Sequence, residues 1–326
     1  MIAEKILSEI TPEKIKMELE KIKAAKLPPK LEECVREYEK VGDRSRFSWK
    51  ALYAYAPYGS LSGVMAKYQK SVLETKIILI IFVTLVDDLA DKYKNGNLLD
   101  KFSTIPFNEN FKIDRKISES EQKYLMVGKK IWNIFENEIK KYPYYNKFGD
   151  FLKFDYQQVL NAIKFSYLLN RNPQLLYSSE SNFFLSYNMQ VFVNSDIDIM
   201  CISNFDMDEF GILREIVGKY QIMARIGNCL GTWERELEEN DFSSFVFIYA
   251  IKNNIVTIGD IKSGNKKEIK EKIMLSNYQK HLLEDWEKNY NEIKNLMPII
   301  KSINIHQYLK NSEEILKMHI IGKKHW

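Results

Sequence analysis

The chain has 326 residues, 45% of them hydrophobic, with 48 Lys and Arg set against 44 Asp and Glu. The net charge of +4, evenly interspersed, is too small to mark a nucleic-acid partner, and the length allows a large core in one big domain or two smaller ones. Cys34, Cys201 and Cys229 are odd in number, far apart and in no CxxC or Cys/His spacing; this argues against a disulfide framework or a zinc site and fits a reducing compartment.

The amino terminus alternates charged and apolar residues and lacks the h-region of a signal peptide. The longest uncharged apolar run, ten residues, is about half of a membrane span. A cytoplasmic protein without a membrane span is expected. Only 13 Gly and 8 Pro punctuate the chain, which favours helices.

Thr11 and Pro12 read as the cap and first residue of a helix that Pro28 and Pro29 end. A short helix carrying Cys34, Val35, Tyr38 and Val41 precedes Gly42, and the aromatic stretch Arg44 to Ser60 reads as a hydrophobic loop laid on the core. From Leu61 to about Tyr93 the pattern is helical and apolar on every side, as in a buried central helix, until Asn95-Gly96-Asn97 stops it. The stretch to Ile117 reads as a loop with at most a short helix. Ser118 to Glu121 makes a capping box for a helix through Ile139, Tyr142-Pro143 breaks it, and a further helix runs to Leu169. Phe183 to Met200 reads as one helix, and Asp206 or Asp208 caps a long one through Leu237. Helices over 243–253, 266–296 and 302–320 complete one all-α domain over 1–326, with the helices of about 1–60 packed on its core.

Chemistry concentrates in two places. The first is Val86-Asp87-Asp88-Leu89-Ala90-Asp91, which ends the uncharged run Ile77 to Val86. On a helix, residues four apart differ by about 40° around the axis, so Asp87 and Asp91 share a face that Ile80, Val83 and Thr84 approach from below. Clustered carboxylates repel one another unless cations neutralise them, and hard oxygen donors suit Mg2+ or Mn2+. Taken alone, the cluster fits a solvated helix end as well.

The second is Asn228, Thr232 and Glu236, spaced four and four on the long helix, so that an amide, a hydroxyl and a carboxylate form one oxygen-bearing stripe. Arg225 and Arg235 stand beside it, donors that a metal-bound phosphate would use.

Together, DDxxD near residue 90 and (N/D)xxx(S/T)xx(K/R)E near residue 230, each on a helix of an all-α chain, resemble the paired metal motifs of class I terpene synthases of the bacterial, single-domain type. The resemblance implies a helical barrel whose mouth holds three Mg2+ ions gripping a prenyl diphosphate. It makes Asp87, with Asp88 and Asp91, the first ligand group and Asn228, Thr232 and Glu236 the second. It gives Arg235, and with it Arg225, Lys323 and Lys324, to the diphosphate. It further implies a linear farnesyl or geranylgeranyl substrate, cyclised after ionisation, and leaves a homodimer open. Aromatic linings of such a pocket are sought at Phe183, Tyr187 and Trp233. The chain departs from the family in two places. No Arg occurs in Ser178 to Ser186, where a diphosphate-sensing Arg is usual; the nearest is Arg171. No Arg-Tyr pair occurs near the carboxy terminus, where Tyr308, Lys310, Lys317, Lys323 and Lys324 are the substitutes. Two rival readings stand beside this one: a chain-elongating trans-prenyltransferase, which would carry a second Asp-rich motif, and a non-catalytic helical scaffold.

Overall fold

The computed structural model describes residues 1–323. Helix α1 (Ile2–Ser8), which the sequence pattern does not single out, precedes α2 (Pro12–Ala24), where the Thr11 hydroxyl accepts from the Lys14 amide at 3.3 Å. Helix α3 (Pro29–Tyr38) comes next, and beyond it the aromatic stretch expected as a loop is instead α4 (Arg46–Tyr55) with a 3-10 turn over Ala56–Gly59. A segment this short is not a stable helix by itself. It is held because Trp49 is fully buried, edge-on to Tyr38 at 4.9 Å, while Ala51 and Tyr55 pack with Ile22 and Met318.

Helix α5 (Ala66–Asp87) runs on without interruption into a single π-helical turn, Asp88–Lys92. Asn95 then caps α6 (Gly96–Ser103). Helices α7 (Glu119–Ile139), with the expected capping box, and α8 (Tyr145–Arg171) come after it. The helix expected over 183–200 is broken into α9 (Glu180–Phe184), a 3-10 turn over Leu185–Met189 and α10 (Val191–Ile199). Gln190 stands between them at φ 58°, in the left-handed region, where a right-handed helix cannot continue.

The longest helix, α11 (Phe210–Glu239), is followed by α12 (Phe245–Lys252) and α13 (Ile258–Ser263). The span 266–296 is two helices, α14 (Lys266–Met274) and α15 (Tyr278–Leu296), before α16 (Ile305–Ile321). Among the described residues the extended structure amounts to one isolated bridge, Val64 to Ile202, and no helix is long and apolar enough to cross a membrane.

Helices α5 and α11 form the centre. Every residue from Ile77 to Val86 is buried except Ile80, and α11 packs against α10 on one side and α15 and α16 on others. Below the acidic end, Lys76 and Asp198 form a fully enclosed ion pair at 2.6 Å that joins α5 to α10. The pair is completed by the Ser60 hydroxyl, 2.9 Å from Lys76, and the Leu61 amide, 2.8 Å from Asp198. Such satisfaction is what lets a buried pair persist.

Helix α16 meets α11 almost backbone to backbone. A Cβ on Gly231 would stand 2.5 Å from the His319 carbonyl oxygen, and one on Gly227 would stand 3.0 Å from the His319 ring. This contact sets the rotation of α11 and so the direction of the Asn228 stripe, one residue further round. Gly231→Ala should destabilise the protein by about 1–3 kcal/mol, because a main-chain oxygen cannot step aside. Gly211→Ala, which meets nothing within 4 Å, should be neutral or stabilising by up to about 1 kcal/mol. Thermal denaturation of the two variants checks this, and equal effects would refute it.

Candidate active site

The acidic motif lies at the junction of α5 and the π turn. A π turn advances the chain by an extra residue, so the three aspartates do not share one face, and such turns recur at functional sites. Ile80, Thr84 and Asp87, spaced four and three, form a stripe along α5, and Asp91 follows in the π turn. Ile80, Asp87 and Asp91 keep partial access to solvent, whereas the other residues from Thr75 to Ala90 are buried.

Asp88 turns the other way. Its carboxylate is 6% accessible, accepts from the Tyr38 hydroxyl at 2.8 Å, and lies 3.4 Å from Arg44 Nη2. It therefore faces α3 and not the carboxylates gathered around Asp91. Asp87, 32% accessible, takes the same Arg44 Nη2 at 3.1 Å. Asp91 accepts from the Ser166 hydroxyl at 3.1 Å and the Asn170 amide at 3.4 Å, both from α8.

Asn170 makes the join that the sequence does not reveal. Its amide nitrogen also donates to Asp241 at 2.9 Å, and its oxygen accepts from the Phe242 amide at 2.8 Å. One side chain thus clips Asp91 to the loop that follows α11. That loop exists because Asn240 adopts φ 56° and ends the helix, after which the Asp241 amide donates back to the Glu236 carbonyl at 2.8 Å. Asp241 is the site residue missed from sequence. Its only signal is its place five residues after Glu236, just past the helix end, where a chain reversal returns it to the stripe.

On α11, the Thr232 hydroxyl lies 2.7 Å from Glu236 Oε1, while Glu236 Oε2 is buried with no hydrogen-bond partner. Arg225 is buried, donating to Asn228 Oδ1 at 2.8 Å and the Ser243 carbonyl at 2.9 Å. The two ends are close enough to act on each other electrostatically. Burial raises the pKa of Asp91 well above the ordinary carboxylate range, and the charges of Asp241, Asp87 and Glu236 push the same way. Asp87 is raised by burial, with Arg44 opposing and Asp88 and Asp241 reinforcing. Glu236 is pushed up to about 7 by burial and Asp241, against Arg225 and the Thr232 hydrogen bond.

Among the described residues no three carboxyl, imidazole or thiol groups close into a ready-made cage. The donors do suit a hard divalent cation. They are all oxygens, Glu236 Oε2 is an unpaired lone-pair donor, and Asp87, Asp91 and Glu236 resist ionising together without a counter-charge.

Arg235 pairs with Glu239 at 2.6 Å and still acts by its charge on Glu236, while Lys323 pairs with Glu234 at 2.6 Å. Lys324 lies outside the described residues. Tyr308 is buried, stacked on Tyr220 at 4.3 Å; Lys310 is exposed; and Lys317 pairs with Glu9 and Glu314. Among the sought linings, Trp233 packs in the core with Phe247 and Tyr278, Phe183 is largely exposed, and Tyr187 stacks on Phe192. A cavity of about 30 Å³ between α7 and α8, bounded by Trp132, Phe135 and Tyr156, is room for little more than one water.

The raised pKa of Glu236 predicts how stability varies with pH without metal. The folded state keeps this proton up to about pH 7, whereas the unfolded chain loses it near 4.5. The contribution is therefore complete below about 4.5 and lost as pH rises through about 7, a drop of about 3 kcal/mol in all. In a chelator, melting temperature should fall from pH 5.5 to pH 8, and Glu236→Gln should flatten the fall. An unchanged slope in that variant would contradict the assignment.

No protein-family model matches the chain, and no curated protein matches it. Among solved structures it is similar to isoprene synthase from grey poplar leaves (Populus x canescens), at 15% identity with a TM-score of 0.55. The match covers 89% of this chain and 52% of that one, so the chain spans about half the length of the structure it matches. At such identity the likeness carries the fold alone, and the chain has an all-α terpene synthase fold.

Proposed function

We propose that the chain is a Mg2+-dependent class I terpene synthase that ionises a linear farnesyl or geranylgeranyl diphosphate and cyclises the carbocation, releasing diphosphate. One observation carries this reading above the others. Carboxylates from the end of α5 and its π turn and from the end of α11 act on one another and are bridged by Asn170, with two guanidinium groups, those of Arg44 and Arg225, acting on Asp87.

In this reading Asp87 and Asp91 hold divalent cations on one side, and Asn228, Thr232 and Glu236 on the other, with Asp241 beside them. The bound ions, Mg2+ or Mn2+, supply the positive charge that makes diphosphate a good leaving group. The residues do the rest. Arg225 fixes Asn228 and adds charge where the leaving group develops its own. The carbon–oxygen bond breaks with its electron pair on the diphosphate, so no protein nucleophile is needed. Ile80, Val83 and Thr84 hold the prenyl chain away from water until ring closure and loss of a proton to the released diphosphate.

The trans-prenyltransferase reading calls for a second Asp-rich motif, and Asn228, Thr232 and Glu236 stand in that place. The scaffold reading leaves the buried and unpaired Glu236 Oε2 without purpose.

Purified protein with Mg2+ and geranyl, farnesyl or geranylgeranyl diphosphate should release diphosphate and a cyclic hydrocarbon or alcohol. Longer prenyl diphosphates formed only with added isopentenyl diphosphate would support the transferase instead, and no turnover would favour the scaffold. Asp87→Ala and Asn228→Ala should each lower turnover about a hundredfold or more while helical circular dichroism stays intact. Wild-type rates in either variant would remove the metal assignment.

A further inference from the structure

Eleven residues separate Lys76 from Asp87 on α5. That interval is three turns and about 20°, so the buried lysine stands below the first acid of the site, with Ile80 and Thr84 between them. The same interval recurs on two other helices. On α8, Asp155 lies eleven residues before Ser166, which holds Asp91, and on α11, Arg214 lies eleven residues before Arg225, which holds Asn228. These deep residues are all taken up in ion pairs, and α10 supplies the remaining partners. Lys76 meets Asp198 at 2.6 Å, while Arg214 reaches Asp155 through two nitrogens at 2.7 and 2.8 Å, with Asp196 3.9 Å away. One layer of charge thus crosses α5, α8, α10 and α11 at a common depth.

The chain just before α5 closes the far side of this layer. Ser60 and Leu61 bind Lys76 and Asp198, the Tyr58 carbonyl accepts from the Tyr220 hydroxyl at 3.1 Å, and the Met65 amide donates to the Cys201 carbonyl at 3.0 Å. Tyr308, stacked on Tyr220, lies near enough to Asp198 to feel its charge. A hydrocarbon tail pushed into such a layer would part buried charges from their partners and gain no hydrogen bond in exchange. Depth then sets length. Eleven residues of α5 rise about 16 Å. An extended isoprene unit adds four carbon–carbon bonds and so about 5 Å, which takes three units to about 15 Å and four to about 20 Å.

We propose that the Lys76–Asp198 pair, flanked by Arg214 and Asp155, is the floor of the prenyl pocket and fits it to a fifteen-carbon chain. Farnesyl diphosphate is then the substrate, and geranylgeranyl diphosphate overruns the floor by one unit. This rests on the terpene synthase reading, which by itself leaves both lengths open. Lys76 acts on the tail of the substrate and not on the bond that breaks, so it determines specificity and is not a catalytic residue.

Geranyl, farnesyl and geranylgeranyl diphosphate, mixed in equal amounts with Mg2+, compete for wild type, Lys76→Ala/Asp198→Ala and Ile80→Phe. The disappearance of each gives the ratio of kcat/KM values, and circular dichroism is the folding control. Wild type should favour farnesyl over geranylgeranyl diphosphate by about tenfold or more. The alanine pair removes both charges and opens room for a fourth unit, so that ratio should fall to within about threefold of unity, through KM more than kcat. Ile80→Phe raises the floor by one turn and should move the preference from farnesyl towards geranyl diphosphate. Calorimetric affinities for the unreactive farnesyl and geranylgeranyl thiolodiphosphates should follow the same order in each protein. If the alanine pair fails to fold, wild type and Ile80→Phe decide the matter. Wild type that takes both longer chains equally, a folded alanine pair that keeps the wild-type ratio, or an unchanged preference in Ile80→Phe overturns the floor while leaving the terpene synthase reading standing. Turnover of none of the three diphosphates by wild type overturns that reading, and the floor with it.

Discussion

The structure depends on bringing like charges together where water is scarce. Asp87, Asp91, Glu236 and Asp241 come from two helix ends, far apart in sequence, and burial raises the first three above the ordinary carboxylate range. At a few ångströms and an effective dielectric near that of a protein surface, each such repulsion costs about a few kcal/mol. Nothing about chain folding requires that cost, so it is balanced locally. Asn170 bridges Asp91 and Asp241, the Ser166 hydroxyl meets Asp91, the Ser243 amide meets Asp241, and Arg44 and Arg225 oppose the charge on Asp87. These contacts lessen the repulsion without cancelling it.

The repulsion is tolerable because the acids sit on rigid supports. Helix α5 is packed on nearly every side below Asp87, and the Lys76–Asp198 pair ties it to α10 about three turns down. Helix α11 is held against α16 by the absence of side chains at Gly227 and Gly231. With both helices fixed in rotation, their last turns have nowhere to retreat, and the charges stay where packing puts them.

The distribution of cations around the acids is selective. Lys323 and Lys270 are taken up by Glu234, and Arg235 by Glu239, on the outer surface of α11. Arg44, from the loop after α3, and Arg225, from α11, are the cations that act on Asp87. Basic residues near the motif in sequence are therefore a poor guide to those near it in space. A helix turns its side chains by about 100° per residue, so Arg235, adjacent to Glu236, reaches Glu239 and acts on Glu236 by its charge alone, whereas Arg225, three turns back, returns to the same region.

Sequence alone determined the features that local periodicity and residue chemistry control. The all-α class, the capping box at Ser118, the buried run ending at Asp87, and the Asn228, Thr232, Glu236 stripe all lie within one helix each, where spacing of three and four defines a face. The tertiary structure decided everything that depends on a neighbour distant in the chain. It made a helix of Arg46–Tyr55, which gains its burial from α2 and α5. It broke the segment before α10 at Gln190 and turned Asp88 away from Asp91 through a π turn. It also brought Arg44, Asn170 and Asp241 to the acids, residues unremarkable in their own sequence surroundings. The reason is that repulsion and packing act through space: the pattern along a helix says which residues share a face, but only the folded chain says what that face meets.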